Sequence, residues 1–246
     1  MAYKKEWYDK KRKSKIDSAN ALIPIVFDLI RPSSVIDIGC GDGTWLSLIS
    51  EHGINNYLGV DGDWIDKDLL QIPKENFKVA DLTKPLEIEK KFDLAISLEV
   101  AEHLSSEYAE LFVKTLTRVS NVILFSAAIP FQGGTKHFNE QWQSYWAKLF
   151  LEKGFRPVDI IRNKIWNNEN ILPFYKQNIV LYIKDYKFNK FSFEELDKVE
   201  APSILDKVHP EIFEMKMQAY EDSMKFKSTF KRLIKGALHK FIKSNK

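Results

Sequence analysis

A short apolar run that breaks on three alternating glycines, Ser34-Val-Ile-Asp-Ile-Gly39-Cys-Gly41-Asp-Gly43-Thr-Trp45, constrains this chain more than any other feature. The run reads as a buried strand. Thr44 to His52, with Trp45, Leu46, Leu48 and Ile49 apolar, reads as a helix that Gly53 ends. Where a strand turns into a helix through glycines, no Cβ blocks the approach of a ligand to the backbone amides. The helix that follows offers its N-terminal amides to a carboxylate or phosphate. A plain turn needs fewer glycines.

The alternation repeats along the chain. Tyr57 to Val60 reads as a strand, Trp64 to Leu70 as a weak helix, Phe77 to Ala80 and Phe92 to Leu98 as strands. Ser105 stands as an N-cap with Glu107 in the first turn, ahead of a helix whose apolar face is Tyr108, Leu111, Phe112, Thr115, Leu116 and Val119. Asn121 to Phe125 is the next strand. A long loop from Ile129 then leads into an aromatic-rich helix through Trp142, Tyr145, Trp146 and Leu149, capped by Gly154. Val158 to Ile161 and Asn178 to Ile183 read as the last strands. Ahead of the glycine loop, Ala21, Leu22, Ile25, Val26, Leu29 and Ile30 give residues 18–30 helical spacing, in which Pro24 is awkward unless it sits in the first turn. This rhythm predicts an α/β fold, a doubly wound and mostly parallel sheet. The expected segments are an N-terminal helical piece (1–33), the sheet domain (34–184, with a substrate loop and helix at 129–153) and a helical extension (185–246).

Bulk properties narrow the setting. Cys40, the only cysteine, cannot form an intramolecular bridge, and no apolar run approaches the ~20 residues of a membrane span. The polar N-terminus argues against a signal peptide, so the expected location is cytoplasmic. The net charge of +3 is uneven. Residues 224–246 hold eight Lys or Arg and no acid, leaving 29 basic against 34 acidic residues in the rest of the chain. A body of that sign is not a general nucleic-acid binder, and no nucleic-acid partner is expected.

Spacing sharpens the ligand. Asp61 ends the second strand, where a carboxylate can accept both hydroxyls of a ribose. Asp81 ends the third, where it can accept from an adenine amino group with Leu82 packing near the ring. Gly39-Cys-Gly41-Asp-Gly43, Asp61, Asp81 and the post-strand Leu98-Glu-Val-Ala-Glu-His103 together resemble the first four motifs of class I S-adenosylmethionine-dependent methyltransferases. That resemblance implies a seven-stranded sheet whose last strand is antiparallel, with S-adenosyl-L-methionine as cofactor. It places the glycine loop under the methionine part, Asp61 on the ribose and Asp81 near the adenine. The cofactor-facing set is then Asp37, Gly39, Cys40, Gly41, Gly43, Asp61, Gly62, Asp81, Leu82 and Glu99. Two of these carry an alternative: Asp37 either binds the methionine amino group or holds nearby backbone, and Cys40 reads as a packed small residue, since nothing nearby provides the base a nucleophilic thiol wants. Trp64 either covers the adenosine or starts the next helix. A dinucleotide-binding dehydrogenase would want Gly or Ala at Thr44 and would not need an acid at the third strand.

Methyl transfer to an aliphatic hydroxyl needs alignment and removal of a proton. The candidates at the carboxyl ends of the strands are His103, His137 and Glu102, with Glu99 and Glu140 beside them. His103 resembles a histidine that in many members of this superfamily only holds the loop, and His137 sits either in a substrate lid or at a helix cap. The spacing of Glu99, Glu102 and His103 is not diagnostic of a metal, so none is expected. The stretch Gly134-Thr-Lys-His-Phe-Asn-Glu-Gln-Trp142 and the later Ile165-Trp-Asn are similar to methyltransferases associated with bacterial surface-polysaccharide biosynthesis. The acceptor implied is a hydroxyl of a sugar or glycan precursor, with a small aromatic or polyketide natural product as the alternative. A non-enzymatic cofactor-binding scaffold is a third reading, and a homo-oligomer is compatible with the chain. Leu98-Glu-Val-Ala stands where an Asn-Pro-Pro-Tyr-like segment would favour methylation of a nucleobase amino group.

The tail places Phe226, Phe230, Leu233, Ile234, Leu238, Phe241 and Ile242 at helical spacing among lysines. A basic amphipathic helix of this kind reads either as peripheral contact with an anionic membrane, at about 1 kcal/mol per basic residue, or as packing on protein.

Overall fold

The computed structural model describes residues 2–188, 199 and 201–244, with side chains from 12 to 187, at 199 and from 201 to 227. The chain divides into two compact units, residues 1–207 and residues 208–246.

In the first unit the strands are β1 (Ser34–Ile38), β2 (Asn56–Asp61), β3 (Phe77–Val79), β4 (Leu94–Leu98), β5 (Val122–Ser126), β6 (Phe155–Val158) and β7 (Val180–Lys184). They form one seven-stranded sheet in the order β3-β2-β1-β4-β5-β7-β6. All pairs are parallel except those of β7, which runs antiparallel to both β5 and β6. The doubly wound, seven-stranded α/β sheet read from the sequence is therefore present, down to its antiparallel last strand. The helices of this unit are α1 (Ala2–Ile30), α2 (Thr44–Glu51), α3 (Ala109–Val119), α4 (Gln143–Glu152), α5 (Ile160–Ile165), α6 (Pro173–Asn178) and α7 (Asp185–Phe188).

Strand periodicity sorts the core into two layers. Val35, Leu94, Ile96, Leu124 and Leu181 face one cluster, completed by Leu22, Val26, Leu46 and Ile49 from α1 and α2 and by Ile161 and Ile165 from α5. Ile36, Ile38, Ala95, Ile123, Phe125 and Tyr182 face the other, covered by Phe112 and Leu116 of α3 and by Trp146 and Phe150 of α4. Successive residues of each strand point to opposite faces, so strands buried on both sides read as nearly continuous apolar runs. Strand order reverses between β1 and β4, because β1 feeds β2 on one side and pairs with β4 on the other. An open α/β sheet splits into a crevice at such a point, at the carboxyl ends of its strands.

Several expected boundaries differ. α1 starts at Ala2, not near residue 18, because the charged stretch before it consists largely of good helix formers that carry no apolar stripe. Pro24 consequently lies inside that helix. Residues 64–70 form turns instead of a weak helix; the Asp66 carboxylate accepts from the Asp68 amide at 3.0 Å, a local bond that competes with helix. The strand expected at 158–161 ends at Val158, and α5 follows at once. There Ile161 and Ile165 are buried at helical spacing and the Asp159 carboxylate accepts from Arg162 Nη2 at 2.7 Å. Asn178 belongs to α6, and β7 begins two residues later. Ser105 makes no side-chain cap; a 3-10 turn at Ser106–Tyr108 intervenes before α3.

The second unit contains one long helix, α8 (Pro210–Ser244), 35 residues in length. The basic face expected of the tail falls on side chains that, from residue 228 on, lie outside those described. Among the described residues no helix is long and apolar enough to cross a membrane.

Candidate functional site

The loop after β1 owes its shape to backbone that only glycine adopts easily: φ is +86° at Gly39, +58° at Gly41 and +77° at Gly43. Space imposes a second demand at Gly39, where an added Cβ would lie 2.5 Å from both methyl carbons of Val100 in the loop after β4. The amides of Gly39 and Cys40 donate to the Val60 carbonyl at 2.7 and 3.1 Å, which fastens the loop to β2. Asp61, the last residue of β2, completes the attachment. Its Oδ2 accepts from the Gly41 amide and its Oδ1 from the Gly62 amide, both at 2.7 Å. Burial pushes the Asp61 carboxyl up, and the two amides pull it back.

These parts border a cleft of about 490 Å³, lined by Gly39, Gly41, Asp61, Trp64, Leu82, Glu99, Val100, His103 and Phe138 among others. A volume of that size suits a drug-sized ligand or cofactor. Of the remaining cofactor candidates, Asp37 lies beneath the loop, 3% exposed, and burial pushes its carboxyl up to about 7 against the pull of the Lys15 ammonium. Lys15 comes from α1 and pairs with Asp42 at 3.5 Å; as one charge in a charged stretch, it carried no signal in the sequence. Cys40 is buried, and a Cβ at Gly59 would stand 2.8 Å from its Sγ, so the thiol fills the space beside β2. Burial pushes that thiol up. Gly62 lies beneath the Trp64 ring. Asp81 stands two residues past β3, and its carboxylate accepts from the Thr83 amide at 3.0 Å and the Thr83 hydroxyl at 2.6 Å and pairs with Lys84 at 3.1 Å. Those partners hold it at about 2. Its neighbour Leu82 reaches the cleft lining.

The opposite wall comes from the loops after β4 and β5. Glu99 adopts a left-handed φ of +57°, a conformation that costs a non-glycine residue about 1–3 kcal/mol. Its carboxylate accepts from Asn178 at 3.0 and 3.2 Å and from Gln132 at 3.0 Å, while its amide donates to the Ser126 carbonyl. Asn178 and Gln132 were not expected to have a role; a polar pair ahead of an apolar strand, Gln177-Asn178, was the only hint.

The structure brings His103 and His137 together, ring centroids 4.9 Å apart and nearly perpendicular. The amides of Phe138 and Asn139 both donate to the Glu102 carbonyl, at 2.8 and 3.1 Å, which straps the His137 loop to the His103 loop. His103 Nδ1 bonds the Lys136 carbonyl at 3.1 Å and His137 Nδ1 bonds Glu140 at 2.9 Å. Both partners only accept, so each Nδ1 carries a proton and Nε2 is the nitrogen left without a protein partner in these bonds. Desolvation lowers the His103 pKa below its ordinary value, which leaves the ring neutral near pH 7. Glu102 is fully buried, and burial and then the neighbouring Glu99 carboxylate push it up to about 9.

A family model described as a methyltransferase domain matches residues 8–158. Among solved structures, the methyltransferase domain of bacterial CtHen1 is similar at 19% identity and a TM-score of 0.52, the match covering 70% of this chain and 98% of that one. DesVI of Streptomyces venezuelae is similar at 12% identity and a TM-score of 0.54, covering 73% and 96%. The plantazolicin methyltransferase BpumL, in complex with SAH, is similar at 17% identity and a TM-score of 0.50, covering 73% and 88%. At these identities the three structures speak for the fold. No curated protein matches the chain.

Two glycine substitutions separate backbone strain from crowding. Gly53 has φ +89° with nothing within 4 Å of an added Cβ, whereas Gly39 has φ +86° and the Val100 contact. Gly53→Ala should cost about 1–2 kcal/mol and Gly39→Ala clearly more, measured by urea unfolding. Equal losses would mean that the Gly39–Val100 approach does not constrain the loop.

Proposed function

Because the chain belongs to the methyltransferase-domain family, whose model matches residues 8–158, we propose that it transfers the methyl group of S-adenosylmethionine to a hydroxyl of a sugar or glycan precursor. The observation that carries this reading is one cleft at the β1–β4 switch point, bordered on one side by the glycine loop and Asp61 and on the other by His103. Bound there, the cofactor supplies a methyl group on a positively charged sulfur, which leaves as a neutral thioether.

The chain's own residues divide the remaining work. Gly39 and Gly41 leave room for the methionine part, and Asp61, already oriented by two amides, takes the ribose hydroxyls. Asp37, buried beneath the loop, is assigned to the methionine ammonium, since a nearby cation favours its ionised form against burial. Leu82, in the cleft lining, is assigned to the adenine ring, and its neighbour Asp81 to the adenine amino group. Holding an acceptor in line with the methyl group supplies much of the acceleration. Removal of the hydroxyl proton falls to the His103–His137–Glu102 cluster, where a neutral imidazole at the cleft can accept it.

Support for a sugar acceptor comes from aromatic faces at the cleft. Trp64 and Phe138 line it while 70% and 66% exposed, and Phe131, on the same loop as Phe138, is 88% exposed. Large rings left in water at a pocket mark a binding surface. The same faces would accept a small aromatic natural product, so the test compares the two. With labelled S-adenosylmethionine and a panel of nucleotide sugars, glycan fragments and phenols, label should enter the sugars. His103→Ala and His137→Ala should each lose about 10²–10⁴ in turnover with cofactor affinity retained. Transfer to phenols alone would overturn the acceptor, and full turnover in both variants would remove the cluster from the chemistry.

The tail supports a further part of this reading. α8 is continuous through Ser244, so seven of the eight basic residues after 223 share one helix, suited to an anionic membrane surface where glycan precursors are built. Removing residues 224–246 should abolish sedimentation with vesicles rich in anionic lipid, and unchanged sedimentation would contradict the assignment.

A further inference from the structure

We propose that Glu102, His103 and His137 form a binding site for one divalent first-row transition-metal cation, of the Mn2+ or Zn2+ class, in the wall of the cleft. One ligand atom from each of the three lies within 4.8 Å of the other two. No segment of the sequence shows the set as a motif, because the third ligand arrives from the loop after β5.

Glu102 points to the cation most directly. The residue is 0% exposed, and its carboxylate oxygens make no hydrogen bond of good geometry, only weak approaches by its own amide and that of Ala128. Buried polar groups are satisfied in the great majority of cases, and a buried carboxylate so poorly matched by donors calls for a proton or a cation.

The two imidazoles are arranged as ligands are. Each has its Nδ1 engaged, His103 with the Lys136 carbonyl and His137 with the Glu140 carboxylate, so Nε2 is the atom left to coordinate. An outer carboxylate or carbonyl on the far nitrogen fixes the tautomer and the ring orientation of metal-bound histidines. Further bonds steady the arrangement: Glu140 also accepts from the Gly133 amide at 2.6 Å. Gly134 admits the His137 ring, since a Cβ there would stand 2.2 Å from Nε2. Two nitrogens and a carboxylate oxygen suit Mn2+, Fe2+, Co2+ or Zn2+ better than Ca2+ or Mg2+, which prefer all-oxygen shells. Ligands about 2.1 Å from one ion stand no more than roughly 4.2 Å apart, so binding draws the widest pair closer by roughly half an ångström. The loop with Gly133 and Gly134 can supply that movement.

His103 borders the cleft, so the cation sits where an acceptor hydroxyl must arrive; this use of the site rests on the methyltransferase reading above. With both Nε2 atoms engaged by the cation neither imidazole serves as the base, and the cation instead favours loss of the hydroxyl proton to water. The oxygen's electron pair then forms the new O–C bond as the S–C bond breaks and leaves its pair on sulfur.

Binding is tested apart from turnover, on full-length protein stripped with a chelator and free of S-adenosylmethionine. Mn2+ is followed by electron paramagnetic resonance, Co2+ by visible absorption and Zn2+ by calorimetry. The expected result is one equivalent, with Co2+ bands of a low-coordinate site containing nitrogen. His103→Ala, His137→Ala and Glu102→Gln should each weaken binding at least tenfold. Glu140→Gln, acting through His137, should weaken it about 10–100-fold. If an alanine variant does not fold by circular dichroism, His103→Asn and His137→Gln take its place. No stoichiometric binding at millimolar cation, or binding indifferent to both histidines, would overturn the site. S-adenosylmethionine affinity is measured in parallel: cation binding without it would keep the site and sink the transferase reading, and the reverse would do the opposite.

Discussion

The Asp61 carboxylate, held between the Gly41 and Gly62 amides, is the interaction on which the rest of the cleft depends. It joins the end of β2 to the loop after β1, so the two strand ends cannot move apart. That loop in turn sits against Val100, which ties it to the end of β4. Three strand ends are thereby held in one arrangement around the place where the sheet reverses its order. Charge-assisted bonds of this kind are short and directional, and Asp61 spends only part of its capacity on them, keeping lone pairs for a ligand.

The same place concentrates negative charge out of water. Asp37, Asp61, Glu99 and Glu102 stand in or just after β1, β2 and β4, and burial raises every one of them. They are balanced unequally. Asp61 has two amides, Glu99 has Asn178 and Gln132, and Asp37 has the more distant Lys15 ammonium. Glu102 is the least matched, with no hydrogen bond of good geometry to either oxygen. A site that gathers buried acids in this way is built to receive positive charge. The methionine ammonium and the sulfonium of the cofactor answer part of that demand, and a cation at Glu102 would answer the rest.

How much of this could be read from the chain follows from how local each feature is. The glycine loop, Asp61 and the helix after them lie within one strand–turn–helix–strand unit, where spacing alone brings them together, and the alternation of apolar strands predicted the sheet. Boundaries set by tertiary context were less legible. Val158 to Ile161 had strand composition, but the buried spacing of Ile161 and Ile165 and the Asp159–Arg162 pair turned it to helix. The aspartates at 63, 66 and 68 favoured turns over a helix after Gly62. Least visible were partners that arrive from far along the chain: Lys15 from α1, Asn178 from α6, and the meeting of His103 with His137, which depends on two backbone bonds to the Glu102 carbonyl. Each histidine stood out by itself, whereas their conjunction is a property of the fold.

The central claim is that the cleft at the β1–β4 reversal binds S-adenosylmethionine through Asp61. Calorimetric titration of the purified protein with S-adenosylmethionine, S-adenosylhomocysteine and NADH tests it most directly, repeated on Asp61→Ala. The account predicts micromolar binding of the first two at one site, no heat with NADH, and loss of binding in the variant. Binding of NADH alone, or S-adenosylmethionine binding untouched by Asp61→Ala, would contradict it.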